Sequence, residues 1–244
     1  MGWKEFVERH KKRRAERQVE RNEKRLMNKW QPSPERKRAI DVLYEIGSEA
    51  AVESLLKRFT YSTEGSIVDE DEKSMVYERL LALHEVTVEP LKRFIKREEA
   101  VYWPLKALVR AADEDTAVAT LLEAIRAIPE SYGTDLKRKE QLVSNLREFR
   151  RDDVFDALIE CLADSAEEIR FLAVDGVLVF PEDRAMPHLV ARLADPEETS
   201  RVKMQILEML VENKWKIDKK EKSKIAGNIP QNYFIGDTGA VLRR

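Results

Sequence analysis

The sequence predicts an all-α fold, an α-α superhelix of about five to six stacked helical pairs closed by a small C-terminal cap. Three observations predict it. Charged residues make up 37% of the 244 residues and there are only 8 glycines, a balance that favours helix over sheet or disorder. A leucine followed four positions on by a second apolar residue recurs as Leu55/Phe59, Leu91/Ile95, Leu121/Ile125, Leu158/Leu162 and Leu189/Leu193. The chain also matches itself when residues 152–170 are displaced by 31 onto 183–201. Asp152 then meets Asp183, Leu158 meets Leu189, Ile159 meets Val190, Leu162 meets Leu193, Glu167 meets Glu198 and Arg170 meets Arg201.

An i, i+4 apolar spacing places both side chains on one helix face. The five leucines lie 36, 30, 37 and 31 residues apart. Each long interval contains an insertion, residues 60–68 (TYSTEGSIV) and residues 131–136 (SYGTDL). Without them the period is about 30–31 throughout, the length of one helical pair. A second amphipathic helix precedes each of the first, as in Ile40/Leu43/Ile46, Val76/Leu80/Leu83, Leu105/Leu108, Leu142/Val143/Leu146 and Phe171/Val174/Leu178. A single pair cannot bury its apolar stripe, so the pairs must stack. Ser165 with Glu168 reads as a capping box, Ser33-Pro34 as a cap followed by Pro in the first turn, and Pro181 and Pro196 mark helix ends.

The segment DDVFDALIECLADSAEEIRFLAVDGVL resembles a HEAT repeat, with its Ala-Asp junction, an Arg after the loop and a small Ala in the next helix. Its short period resembles the HEAT-like class also seen in phycobilin lyases, and the whole chain looks like bacterial HEAT-repeat proteins. The match covers residues 33–212 and implies a fold; it implies no single function, because such arrays serve many roles.

Outside the repeats, residues 1–30 hold eleven Lys and Arg against five Glu, a net +6, while the whole chain is −2 and the rest therefore −8. The expected division is a basic N-terminal helix (1–30) with a sparse seam of Ala15, Val19, Leu26 and Trp30, a repeat array (31–217) and a cap (218–244). The cap reads as a hairpin of residues 233–235 and 240–242 around a Gly-Asp-Thr-Gly turn. Cys161 is the one cysteine, which excludes an intrachain disulfide and a cysteine-based zinc site and suits a reducing compartment. No apolar run reaches the ~18–20 residues that span a bilayer, and no signal core is visible at the start. A soluble, cytoplasmic protein is expected.

Chemistry-bearing motifs are scarce. His84-Glu85 resembles a single His-Glu pair of the deoxyhypusine hydroxylases, HEAT-repeat enzymes that hold iron through several such pairs; His10 and His188 are followed by Lys11 and Leu189, too few ligands for two irons. The run Asp69-Glu70-Asp71-Glu72 lacks the glycine and spacing of a calcium loop and reads as a helix start favoured by the macrodipole. HEAT-like DNA glycosylases need a basic concave face, which the −8 body opposes. Trp103, within Val101-Tyr102-Trp103-Pro104, reads as core.

The expectation is therefore a chain that is not an enzyme, needs no cofactor or metal, and binds another protein on a concave face as a scaffold or adaptor. Candidate binding residues are Lys57, Arg58, Lys92, Arg93, Lys96 and Arg192, cations on the second helices that suit an acidic segment. Two alternatives stay open: an accessory lyase or chaperone-like subunit, as the phycobilin-lyase resemblance implies, and nucleic-acid binding through the basic helix.

Overall fold

A computed structural model describes residues 3–129 and 133–243, and for residues 3–8 and 11 the backbone alone. The chain falls into two compact units, Met1–Ala124 and Ile125–Arg244. Their boundary lies inside a helix and not in a linker.

The first unit contains α1 (Trp3–Leu26), α2 (Ser33–Ile46), α3 (Glu49–Leu56), α4 (Ser66–Ala82), α5 (Val88–Ile95), α6 (Tyr102–Ala111) and most of α7 (Glu114–Arg126). Helices two apart in the chain pack together. One row is α2, α4 and α6, the other α1, α3 and α5, with α2 on α3 and α5 on α6 joining the rows. The i, i+4 stripes form the seam between them: Ile40, Leu43, Val52, Leu55, Val76, Leu80, Leu91, Ile95 and Leu108 are wholly buried. Each such side chain contributes about 1.5–3 kcal/mol of transfer free energy. Gly47 ends α2 at φ +57 and donates its N–H to the Leu43 carbonyl, and Ser48 caps α3 by accepting from Ala51 N–H.

The second unit contains α8 (Gly133–Leu146), α9 (Asp152–Cys161), α10 (Glu167–Val177), α11 (Glu182–Ala194), α12 (Ser200–Asn213), α13 (Lys219–Ile225), β1 (Tyr233–Ile235) and β2 (Val241–Arg243). Again α8, α10 and α12 pack in one row. On the other side α9 meets α11 through the Phe155 ring, 5.9 Å from that of His188. Cys161 is buried, which pushes its thiol up to about 12 and leaves it inert. The two strands pair antiparallel, Phe234 opposite Leu242, and β2 packs on α12.

Several local expectations are corrected. Ser165 is exposed and caps nothing; Ala166 occupies the N-cap position of α10, and the Asp164 carboxylate accepts the Ala166 N–H at 2.9 Å. An Asp reaches the amide two residues on in a tighter turn than the capping box requires. Ser33 is likewise no cap: its hydroxyl donates 2.6 Å to Glu72. α1 ends at Leu26, so Trp30 lies beyond the helix, 87% exposed, and is no part of an apolar seam. The first insertion shrinks to residues 61–65, because a 3-10 turn runs through Thr60 and α4 begins at Ser66. Of the second, Gly133 to Leu136 form the first turn of α8, and Ser131 and Tyr132 lie outside the described residues.

The hairpin is tied to the array at Gly239. With φ +83, it lies so close to Ile217 that an added Cβ would sit 2.2 Å from that carbonyl oxygen, and the Ile217 N–H donates 2.9 Å to Gly239 O. Gly239→Ala is expected to destabilise the hairpin by about 1–3 kcal/mol. Hydrogen exchange should then speed up at Ile217 and at residues 233–235 while the amides of α8–α10 keep their protection.

Candidate docking surfaces

Among the predicted cations, Arg58 cannot meet a partner. Its side chain is wholly buried, with Nε 2.9 Å from Glu72 Oε2 and Nη2 2.8 Å from Asp69 Oδ1. The reason is its place in the 3-10 turn Lys57–Thr60, which rotates it inward from the helical face that the spacing assigned to it. The others lie at the surface, each beside a carboxylate. Lys57 meets Glu23 at 2.6 Å, Lys92 meets Glu89 at 2.8 Å, and Lys96 meets Glu123 of α7. Arg93 pairs with both Glu49 and Glu53 of α3. In the second unit Arg192 donates to the Leu162 carbonyl at 2.9 Å and pairs with Asp195. The first-unit cations thus stitch α1, α3, α5 and α7 side to side. Alternating charge makes poor bait for an acidic ligand, because each contact must displace an existing partner.

The buried ions around Arg58 organise something else. Glu72 accepts from Ser33, from Arg36 (Nη2 at 2.8 Å, Nε at 3.0 Å) and from Arg58. Arg36 also donates to the carbonyls of Lys29 (3.3 Å) and Gln31, which holds the turn between α1 and α2. The Tyr61 hydroxyl donates to Leu26 O, and the Arg58 guanidinium lies 4.4 Å from the Tyr61 ring centroid. Asp69 accepts from Arg58, from Lys73 at 2.6 Å and from the Thr63 N–H at 2.9 Å, which holds the 61–65 loop. One ion cluster therefore anchors both lips of a cleft of about 390 Å³, lined by Lys29, Trp30, Gln31, Ser62, Thr63, Glu64 and Val68 above Ser33 and Arg36. Trp30 is 87% exposed on one lip, and on the other Ile67, next to Val68, is 83% exposed. Arg21, Arg25 and Lys29 are exposed at that end of α1, with no carboxylate partner among the described residues.

Sequence reasoning missed this cleft. Its signals were the loop insertion and the four-residue acidic run, read as a solvated helix start although Asp69 and Glu72 are its buried members. Trp103, by contrast, is half-buried, packed between Phe59, Tyr77 and Tyr102 with ring centroids 5.5–6.3 Å away. His84 lies at φ +51 opening a short 3-10 turn. Among the described residues no group of three His, Cys, Asp or Glu is placed to hold a metal ion. No described helix is long and apolar enough to cross a membrane.

Each unit is thus a stack of helical pairs, the second closed by a two-stranded hairpin. No family model matches the chain, and no curated protein matches it either. Among solved structures it is similar to human deoxyhypusine hydroxylase in complex with glycerol, at 16% sequence identity over 80% of this chain and 85% of that one, with a TM-score of 0.31. That protein is an enzyme, which corrects the expectation of a chain without catalytic activity: an array of helical pairs gives no ground for excluding catalysis.

The buried ions make two predictions. Glu72→Ala leaves Arg36 and Arg58 without their shared carboxylate and is expected to cost about 3–5 kcal/mol in urea unfolding. Burial acts to raise the Asp69 carboxyl, but Lys73, Arg58 and the Thr63 N–H outweigh it and hold the group down at about 2. Glu72 is also lowered, burial being outweighed by Arg36, Ser33 and Arg58. A carboxyl depressed in the folded state adds stability above its unfolded value, near ~4, and loses it as the pH falls through the folded value. Thermal unfolding followed from pH ~5 to ~2 should show falling stability, with a shallower fall in Asp69→Asn.

Proposed function

We propose that the chain is a protein-binding scaffold that takes an acidic, apolar-tipped segment of a partner protein into the cleft between Trp30 and the 61–65 loop. The observation that carries the reading is Trp30 itself, an 87% exposed indole on a lip held rigid from beneath by Arg36. Exposed tryptophans on preorganised surfaces are the side chains that dominate interface energies. The cations Arg21, Arg25 and Lys29 alongside, none with a carboxylate partner among the described residues and Lys29 lying over the Tyr61 ring, supply the complement to carboxylates. This surface takes the place of the cations Lys57, Lys92, Arg93, Lys96 and Arg192, whose charges are already met.

The test is nuclease-treated affinity capture from native lysate with the full chain and with Trp30→Ser. The wild type should retain one stoichiometric protein, and the variant should lose it by about tenfold or more in affinity. Raising the salt to about 0.5 M should weaken the wild-type complex. Because Trp30 is exposed, the variant should unfold within about 0.5 kcal/mol of the wild type. Equal capture by both chains, or capture abolished by nuclease, refutes the reading.

A further inference from the structure

The 31-residue shift that lays α9 on α11 says which face of α11 a following helix should cover. On α9 that face carries Asp152, Phe155 and the Leu162 carbonyl. Arg184 of α11 lies 2.6 Å from Asp152 Oδ1, with its guanidinium 4.2 Å from the Phe155 centroid, and Arg192 takes the Leu162 carbonyl. The equivalents on α11 are Asp183, Met186 and Leu193. Among the described residues the element that packs there is α13, seven residues long with Ile225 its one buried member. A cleft of about 830 Å³ remains, floored by Met186, Val190 and Ala191 and edged by four carboxylates, Glu182, Asp183, Asp218 and Glu221, against two cations, Lys216 and Lys224, of which Lys224 is paired with Glu221. Asp183 is exposed and has no cation partner among the described residues, where Asp152 has Arg184. Among the described residues the cleft has room for one more helix, and Asp183 is the carboxylate on its edge that a cation of that helix would meet.

The chain carries a helix of the matching chemistry. Among the described side chains of residues 9–26, α1 buries Val19, Asn22 and Leu26. At about 100° per residue, the opposite side carries Arg13, Arg14 and Arg17, all exposed. That run of cations complements the cleft's carboxylates, which outnumber its two lysines.

We propose that the α11–α13 cleft is the docking site for α1 of a second copy of this chain, with Arg13 or Arg17 meeting Asp183 as Arg184 meets Asp152. Donor and acceptor surfaces differ, so the contact is head-to-tail, and copies add in sequence instead of closing as a two-fold pair. It uses neither Trp30 nor the 61–65 loop, so it stands or falls apart from the capture of a partner protein.

The experiment is sedimentation velocity of the full chain over a wide concentration range. The expected result is association that strengthens at low salt. Asp183→Arg should weaken it by about tenfold or more, and so should Arg13→Glu with Arg17→Glu. Mixing the two variants sets opposite charges against each other at both kinds of contact between them, and should recover association of one variant with the other. All three sites are exposed, and circular dichroism checks that the helices persist. A chain that stays monomeric at its highest soluble concentration overturns the proposal. Association indifferent to Asp183→Arg, or two variants that fail to recover it when mixed, overturns it equally.

Discussion

The first unit depends on one buried carboxylate. Glu72 is wholly enclosed and accepts from Ser33, Arg36 and Arg58 together. Two guanidiniums cannot lie beneath a helical array without an anion, and an anion there needs all its lone pairs met, because each uncompensated charge costs several kcal/mol. The geometry is therefore strict. What it secures is not the helices, whose apolar stripes suffice, but the segments between them: Arg36 grips the turn after α1, and Arg58 with Asp69 grips the 61–65 loop. An irregular segment held from beneath can present Trp30 to solvent without the entropy loss that a floppy loop would suffer on binding.

The same logic explains why the cation stripe read from the sequence is not a free groove. Lysines and arginines recur on the second helices because repeats recur, and so do glutamates. When α1, α3, α5 and α7 stand side by side, Lys57, Arg93 and Lys96 meet Glu23, Glu49, Glu53 and Glu123. Exposed pairs of this kind contribute little each, yet together they fix the lateral register of the row and neutralise its face. In the first unit several cations left without such partners, among them Arg13, Arg14, Arg17, Arg21 and Arg25, lie on the exposed side of α1.

Much of the architecture was legible in the chain. The i, i+4 pairs from Leu55 to Leu193 are on helices or in the turns that end them, the first members of each pair are buried, and the residues named for the second helices build the other row. Periodicity is legible because burial of one face is a property of the helix alone. The C-terminal strands were legible for a similar reason, since Gly236 and Gly239 mark their turn.

The candidate sites were not legible. Asp69 and Glu72 read as solvated because their partners, Arg36 and Arg58, lie 36 and 14 positions from Glu72, and no local rule announces an ion pair over such separations. Trp30 read as seam because its spacing continued that of Leu26, while the helix had already ended. By itself the sequence determined the helical class, the repeat and the uneven charge, all of which follow from composition and near-neighbour spacing. Only the tertiary structure decided which charges are buried, which are neutralised and which are left for a partner, because that depends on what the neighbouring helix brings to the same place.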